Sequence, residues 1–125
     1  MKLVDTSVAV DHLRGVTAAT DLLAQAIGSE EDLAASEVVR FELTAGVRDD
    51  EFEALEGFCS ALEWVPVDAE ISRAAGLLAR RYRRTHGGIG AADYLIAATA
   101  LVLGAELLTT NVRHFPMLEG LQPPY

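Results

Sequence analysis

The chain has 125 residues, half of them apolar, with nineteen Asp and Glu against ten Lys and Arg and a formal net charge of −9. That length suffices for one domain, residues 1–125, with a core of its own, and the apolar content excludes a disordered chain. The acidic balance argues against sequence-blind binding to nucleic acid, the lone Cys59 excludes an intrachain disulfide or thiolate metal cluster, and no apolar run is long enough to span a membrane.

Taken in order, the chain alternates strand and helix signals. Leu3 and Val4 predict a buried strand over residues 2–5. Thr6 and Ser7, both favourable N-caps, open a helix that ends at Gly15. No signal peptide is predicted, because Asp5 and Asp11 interrupt any apolar leader, and the expected location is the cytoplasm. A second helix runs from about Thr17 to Ile27, with Leu22, Leu23, Ala26 and Ile27 apolar, and Gly28 stops it. After the polar loop Glu30-Glu31-Asp32, Leu33 to Ser36 predicts a short strand and Glu37 to Val47 a helix. Asp50 and Glu53 match a capping box for a helix to about Leu62. Trp64 to Val67 reads as extended, and Pro66 suits a sheet edge or strand end. Asp68 caps a long helix with Ile71, Ala74, Ala75, Leu78 and Tyr82 on one face, broken at Gly87-Gly88-Ile89-Gly90. Ala91 to Leu103 is a strongly apolar helix closed by Gly104, followed by a strand from Glu106 to Thr109. Asn111 caps a last turn limited by Pro116, and Leu121-Gln122 predicts a final short strand. Strands alternating with helices predict an α/β fold, a parallel sheet covered on both faces.

Several carboxylates stand out of pattern. Asp5 sits where a buried strand hands over to a helix; alone it also reads as a turn or capping residue. Glu42 shares a helical stripe with Val38, Val39, Ala45 and Gly46, where a carboxylate is costly unless paired or able to reach water at the stripe edge. Asp93 lies in the first turn of the most apolar helix, above Ile96, Ala97 and Ala100, where an acid also complements the helix dipole. Asn111 occupies the same strand-to-helix position as Asp5. Together the four residues gather at one sheet edge, where open α/β sheets bind ligands. Three carboxylates there repel each other unless a cation neutralises them. Oxygen ligands without paired His or Cys suit Mg²⁺ or Mn²⁺, and such an ion is a phosphoryl-transfer device.

The cations are concentrated in turn. Arg80, Arg81, Arg83 and Arg84 fall within five positions, with His86 close behind. Dipole complementarity at a helix end explains one or two cations; four also suggest phosphate contacts.

Four segments, L-V-D-T-S at 3–7, S-E-V-V-R-F-E-L-T-A-G at 36–46, G-I-G-A-A-D-Y-L-I-A-A-T-A-L at 88–101 and L-L-T-T-N-V-R-H-F at 107–115, resemble in order and spacing a PIN-domain protein, most closely a VapC-type toxin ribonuclease of a toxin–antitoxin pair. The resemblance implies a doubly wound α/β domain and a metal-dependent endoribonuclease using Mg²⁺ or Mn²⁺. It implies Asp5, Glu42 and Asp93 as catalytic acids and metal ligands, with Thr6 and Thr109 as supporting hydroxyls. Asn111 matches a position where many such proteins carry a fourth acid; an amide offers a neutral oxygen and makes at most a weak ligand. The resemblance further implies an RNA substrate, a homodimer and an antitoxin that blocks the site. The arginines are the expected RNA contacts.

Rival readings lack their residues. A phospho-receiver domain needs a lysine near its aspartate, and Lys2 is the only lysine; no P-loop motif occurs. The remaining alternative is a catalytically weak PIN-like module that binds RNA or a partner, which Asn111 keeps open.

Overall fold

Leu3 and Val4 are both 0% exposed, and so are Ala34 and Ala35. Successive strand residues point to opposite faces, so both faces of the sheet are covered. In the computed structural model, which describes residues 1–125, the elements run β1 (Lys2–Val4), α1 (Thr6–Leu13), α2 (Thr17–Gly28), β2 (Leu33–Ser36), α3 (Glu37–Gly46), α4 (Phe52–Cys59), β3 (Glu63–Val65), α5 (Ala69–Tyr82), α6 (Ala91–Leu103) and β4 (Glu106–Leu108). Single 3₁₀ turns lie at Asp49–Glu51 and Val112–His114.

The sheet is parallel throughout, in the order β3-β2-β1-β4. The chain builds outward from β1 to β3, then returns through α6 to place β4 on the other side of β1. Strand order therefore reverses between β1 and β4, the kind of crevice in which open α/β sheets bind ligands. Leu3 pairs with Leu107 and Val4 with Leu108, so both strands end level at this point.

The main core joins the strands to Val8, Ala9, Leu23, Val39, Leu43, Leu55, Ile96 and Phe115; a smaller cluster of Ile71, Ala75, Ala79, Tyr94 and Ala98 locks α5 to α6. Small residues in β2 and α6 let backbones approach closely. Ser36 caps α3 by accepting from Val38 N–H, and Asp68 caps α5 by accepting from Ile71 N–H. Gly104 ends α6 at φ 63°, a left-handed backbone that costs glycine nothing. No helix is long and apolar enough to cross a membrane.

Three local expectations are corrected. Asp50 and Glu53 form no capping box: Asp50 lies inside the 3₁₀ turn, Glu51 instead accepts Arg48 N–H at 2.7 Å, and α4 ends at Cys59. Leu121-Gln122 forms no strand. Gly120 turns the chain just before it at φ 75°, and Pro123 and Pro124 have no N–H to extend a ladder, so β4 remains the sheet edge. Thr6 and Ser7 do not cap α1. They lie in its first turn, and their hydroxyls bond carboxylates instead.

Candidate active site

β1 ends at Val4, and the next residue, Asp5, is 4% exposed. It occupies the N-cap position of α1, yet its side chain makes no capping hydrogen bond. Its Oδ2 accepts from Thr109 Oγ1 at 2.7 Å and Ser7 Oγ at 3.0 Å. Asp5 thus stands at a helix start while its carboxylate serves the strand ends. Thr109 follows β4 as Asp5 follows β1, and it is fully buried. Its hydroxyl also accepts from Asn111 N–H at 3.0 Å, while Ser7 Oγ accepts from Thr110 N–H at 3.1 Å. Asp5 N–H donates to Leu108 O at 3.0 Å. The ends of β1 and β4 are thus stitched together around one carboxylate.

Two further acids enter from helices. Glu42 is half-buried on α3, and its Oε1 accepts from Thr6 Oγ1 at 2.6 Å. Of its supposed stripe, Val39 is buried but Ala45 and Gly46 are exposed, so Glu42 stands at the stripe edge. Asp93, in the first turn of α6, accepts from Gly90 N–H at 3.2 Å, which is the helix-end role. The same oxygen also lies 3.2 Å from His114 Nδ1, which that role does not require.

Asp5, Thr6, Ser7, Asp11, Glu42, Asp93, Thr110, Asn111 and His114 line one open cleft of about 510 Å³. The fully buried Thr109 lies beneath it and reaches it through Asp5, Ser7 and Asn111. Asn111 is exposed and makes no side-chain cap to the turn that follows it. Another cavity, of about 520 Å³ between β4, the end of α6 and residues 118–124, gathers only Glu106 and Glu119 as ionisable groups.

Burial pushes the Asp5 carboxyl above the usual aspartate range. Hydrogen bonds from Thr109, Ser7 and the Thr6 backbone pull the other way, and repulsion from Asp93 is the smallest contribution. Hydrogen bonds to a charged group contribute about 1.5–3 kcal/mol each, while removing a carboxylate from water costs several. The ionised Asp5 is under-compensated, which is a demand for positive charge. The donor set around it, carboxylates with an amide, consists of hard oxygens that suit Mg²⁺ or Mn²⁺. No three ionisable side chains converge closely enough to enclose an ion by themselves. A hard cation here would take one or two carboxylates directly and keep several waters.

The arginines lie elsewhere. Arg80 and Arg81 fall in the last turn of α5, and Arg83 and Arg84 just beyond it; all four are exposed. Arg80, Arg83 and Arg84 line a separate open depression of about 420 Å³, and Arg81 lies 5.4 Å over the Tyr82 ring. None has a carboxylate within 4.0 Å. They do not line the acid cleft, though residues 83–90 lead from them directly into the first turn of α6.

Sequence reasoning assigns no site role to Ser7, Asp11 and His114, and names Thr110 only as part of the Thr109-Thr110-Asn111 stretch. Ser7 and Thr110 adjoin predicted positions, and their hydroxyl and backbone N–H serve as hydrogen-bonding partners there. Asp11 follows Ser7 by four residues and shares its helix face. His114 follows Asn111 by three residues on the same turn, a signal that linear metal-ligand spacing does not register.

A family model described as the PIN domain matches residues 2–118. Over 125 residues the chain is 63% identical to Ribonuclease VapC19 of Mycobacterium tuberculosis, covering 100% of both chains. It is 46% identical to Ribonuclease VapC10 of the same organism, covering 100% of this chain and 93% of that one. Among solved structures, VapBC2 from Rickettsia felis bound to a promoter DNA fragment matches with a TM-score of 0.83 at 24% identity, over 96% of this chain and 94% of that chain, a likeness of fold.

Proposed function

The chain belongs to the PIN-domain family, and from that premise we propose that it is a metal-dependent endoribonuclease, the toxin of a toxin–antitoxin pair. The observation that carries this reading is one cleft at the strand-order reversal that holds Asp5, Glu42 and Asp93 together. Asp5, Glu42 and Asp93 would hold Mg²⁺ or Mn²⁺, with the Asn111 amide as a weak additional oxygen. When bound, the cation supplies an activated water and offsets charge on the scissile phosphate.

The chain's own groups orient these acids. Thr109 and Ser7 fix one oxygen of Asp5, Thr6 fixes one oxygen of Glu42, and Gly90 N–H with His114 fixes one oxygen of Asp93. The second oxygens of Glu42 and Asp93 carry no protein hydrogen bond and remain free for ligand. His114 is the only histidine in the cleft, so no histidine pair exists to run cleavage through the ribose 2′-hydroxyl. Hydrolysis then joins water oxygen to phosphorus, breaks the P–O3′ bond and gives the proton to O3′.

Arg80, Arg81, Arg83 and Arg84 would contact RNA phosphates flanking the cleft. Similarity to VapC ribonucleases and to a VapBC fold supports a cognate antitoxin; on this reading the antitoxin blocks the acids with an Arg or Lys, and the chain acts as a homodimer in the cytoplasm. Arg suits that task because its planar fork pairs with carboxylates. The test is cleavage of a structured RNA with Mg²⁺ or Mn²⁺. The expected products carry 5′-phosphate and 3′-hydroxyl ends and vanish in EDTA. Cyclic 2′,3′-phosphate ends would overturn the mechanism, and RNA binding without cleavage would favour the non-catalytic module.

A further inference from the structure

His114 sits beside Asp93 although the two are twenty-one positions apart in the chain. Its Nδ1 lies 3.2 Å from Asp93 Oδ2, and the pair is only partly open to solvent, with side chains 40% and 23% exposed. An ionised carboxylate can only accept a hydrogen bond, so the contact is a hydrogen bond in the tautomer that carries its proton on Nδ1. That leaves Nε2 without a protein partner at the cleft wall.

The two residues arrive from separate elements. Asp93 follows the Gly87-Gly88-Ile89-Gly90 loop, where Gly88 has a left-handed φ of 84°; its only other hold is the 3.2 Å bond from Gly90 N–H in that same loop. His114 stands on the turn after β4. Phe115, its neighbour, is 1% exposed in the main core, and His114 N–H donates to Asn111 O at 2.9 Å. Asn111 in turn donates to Thr109, the residue that holds Asp5. One contiguous chain of contacts therefore runs from Asp5 through Thr109, Asn111 and His114 to Asp93.

We propose that His114 is a positioning residue: through Nδ1–H it ties the carboxylate of Asp93 to the β4 side of the cleft and fixes which oxygen that carboxylate offers. The proposal rests on the metal-nuclease reading and deepens it. It differs from a ligand role, because His114 acts through Asp93 and not on the cation. Groups that orient a ligating side chain typically change metal affinity or activity by about 10–100-fold when removed.

The test compares H114A, H114N and H114Q in the full chain. The Asn amide nitrogen can stand where Nδ1 stands, whereas the longer Gln amide reaches the Nε2 position. Mn²⁺ affinity is measured by calorimetry on RNA-free protein, alongside kcat and KM for RNA cleavage. The expected result is a loss of Mn²⁺ affinity and of kcat by about 10–100-fold in H114A and H114Q, with KM little changed and near-parental values in H114N. H114A within about twofold of the parent in both readouts would overturn the proposal, as would H114N no better than H114A. Should H114A fail to fold, long-range ¹H–¹⁵N spectra of the metal-free parent decide. Protonated Nδ1, perturbed by D93N, supports the contact; an Nε2–H tautomer overturns it. A parent that neither binds Mn²⁺ nor cleaves RNA removes the nuclease reading and this proposal together, whereas an active parent with an unaffected H114A removes this proposal alone.

Discussion

Asp5 is 4% exposed and bonded by hydroxyls from two chain segments, whereas Arg80, Arg81, Arg83 and Arg84 stand exposed, without a carboxylate within 4.0 Å. The acids come from three separate elements and are brought together by the sheet. The arginines come from one helix end and its flank. A charge that is buried, oriented and under-compensated is suited to hold something in a defined geometry. Charges on mobile exposed side chains attract a polyanion over a distance without fixing it. On the proposed function, chemistry belongs to the cleft and capture to the arginines, and the two should fail in different ways.

The largest effect is expected in the cleft. Asp5→Asn and Glu42→Gln should each reduce cleavage by about a thousandfold or more, since a catalytic cation contributes several kcal/mol and each 1.4 kcal/mol is tenfold. RNA affinity in EDTA should hardly change, because the arginines remain. Cleavage assays paired with filter binding check this; an Asp5→Asn chain that cleaves at parental rate would break the comparison. A smaller effect is expected one bond further out. Thr109→Val keeps the shape but removes the 2.7 Å hydrogen bond to Asp5, and cleavage should fall by about 10–100-fold. Smaller again is the expected effect at the other pole. Replacing Arg83 and Arg84 by Ala should leave the saturated cleavage rate intact and weaken binding, flattening its salt dependence by about 0.7 per lost contact with single-stranded RNA. An unchanged salt slope would remove those two arginines from the RNA interface.

How much of this was readable before the fold was known depends on the range of the interaction. Strand and helix order followed from periodicity and breakers, because side-chain period and glycine or proline position are local properties. Asp5, Glu42 and Asp93 announced themselves as polar residues in apolar settings, and the structure puts all three in one cleft. The failures were interactions whose partner is remote. Thr6 and Ser7 look like helix caps within seven residues of chain; the approach of Glu42 draws off the Thr6 hydroxyl, and Ser7 turns back to Asp5 where Thr110 N–H also reaches it. His114 gave no local signal, since its partner stands on another element. Asp93 was legible from both sides, and both contacts are present: the bond from Gly90 N–H as a helix-end residue and the contact with His114 as a cleft residue.

The smallest effect tests what dominates the cleft's electrostatics. From sequence, three crowded carboxylates suggest mutual repulsion as the main cost, relieved by neutralising any of them, Asp93 included. The structure ranks burial of Asp5 first and repulsion from Asp93 last, and it gives Asp93 hydrogen bonds that an asparagine would weaken. Asp5 is therefore the position whose neutralisation should stabilise the metal-free protein. Its carboxyl is raised in the folded state, so the fold binds that proton more tightly than the unfolded chain does. Its favourable contribution is complete below the ordinary aspartate range and disappears as pH rises through the raised native value. In EDTA near neutral pH, Asp5→Asn should thus melt above the parent, and the gap should close as the pH is lowered through that window. Asp93→Asn should show no such gain. Added Mg²⁺ or Mn²⁺ should raise the parent's melting temperature and move Asp5→Asn much less, because only the intact site gains ligand-binding free energy. Melting curves of the parent and both variants, in EDTA and in metal across the acidic range, decide the matter. A pH-independent gap for Asp5→Asn, or a gain of equal size for Asp93→Asn, would return repulsion to first place and burial to second.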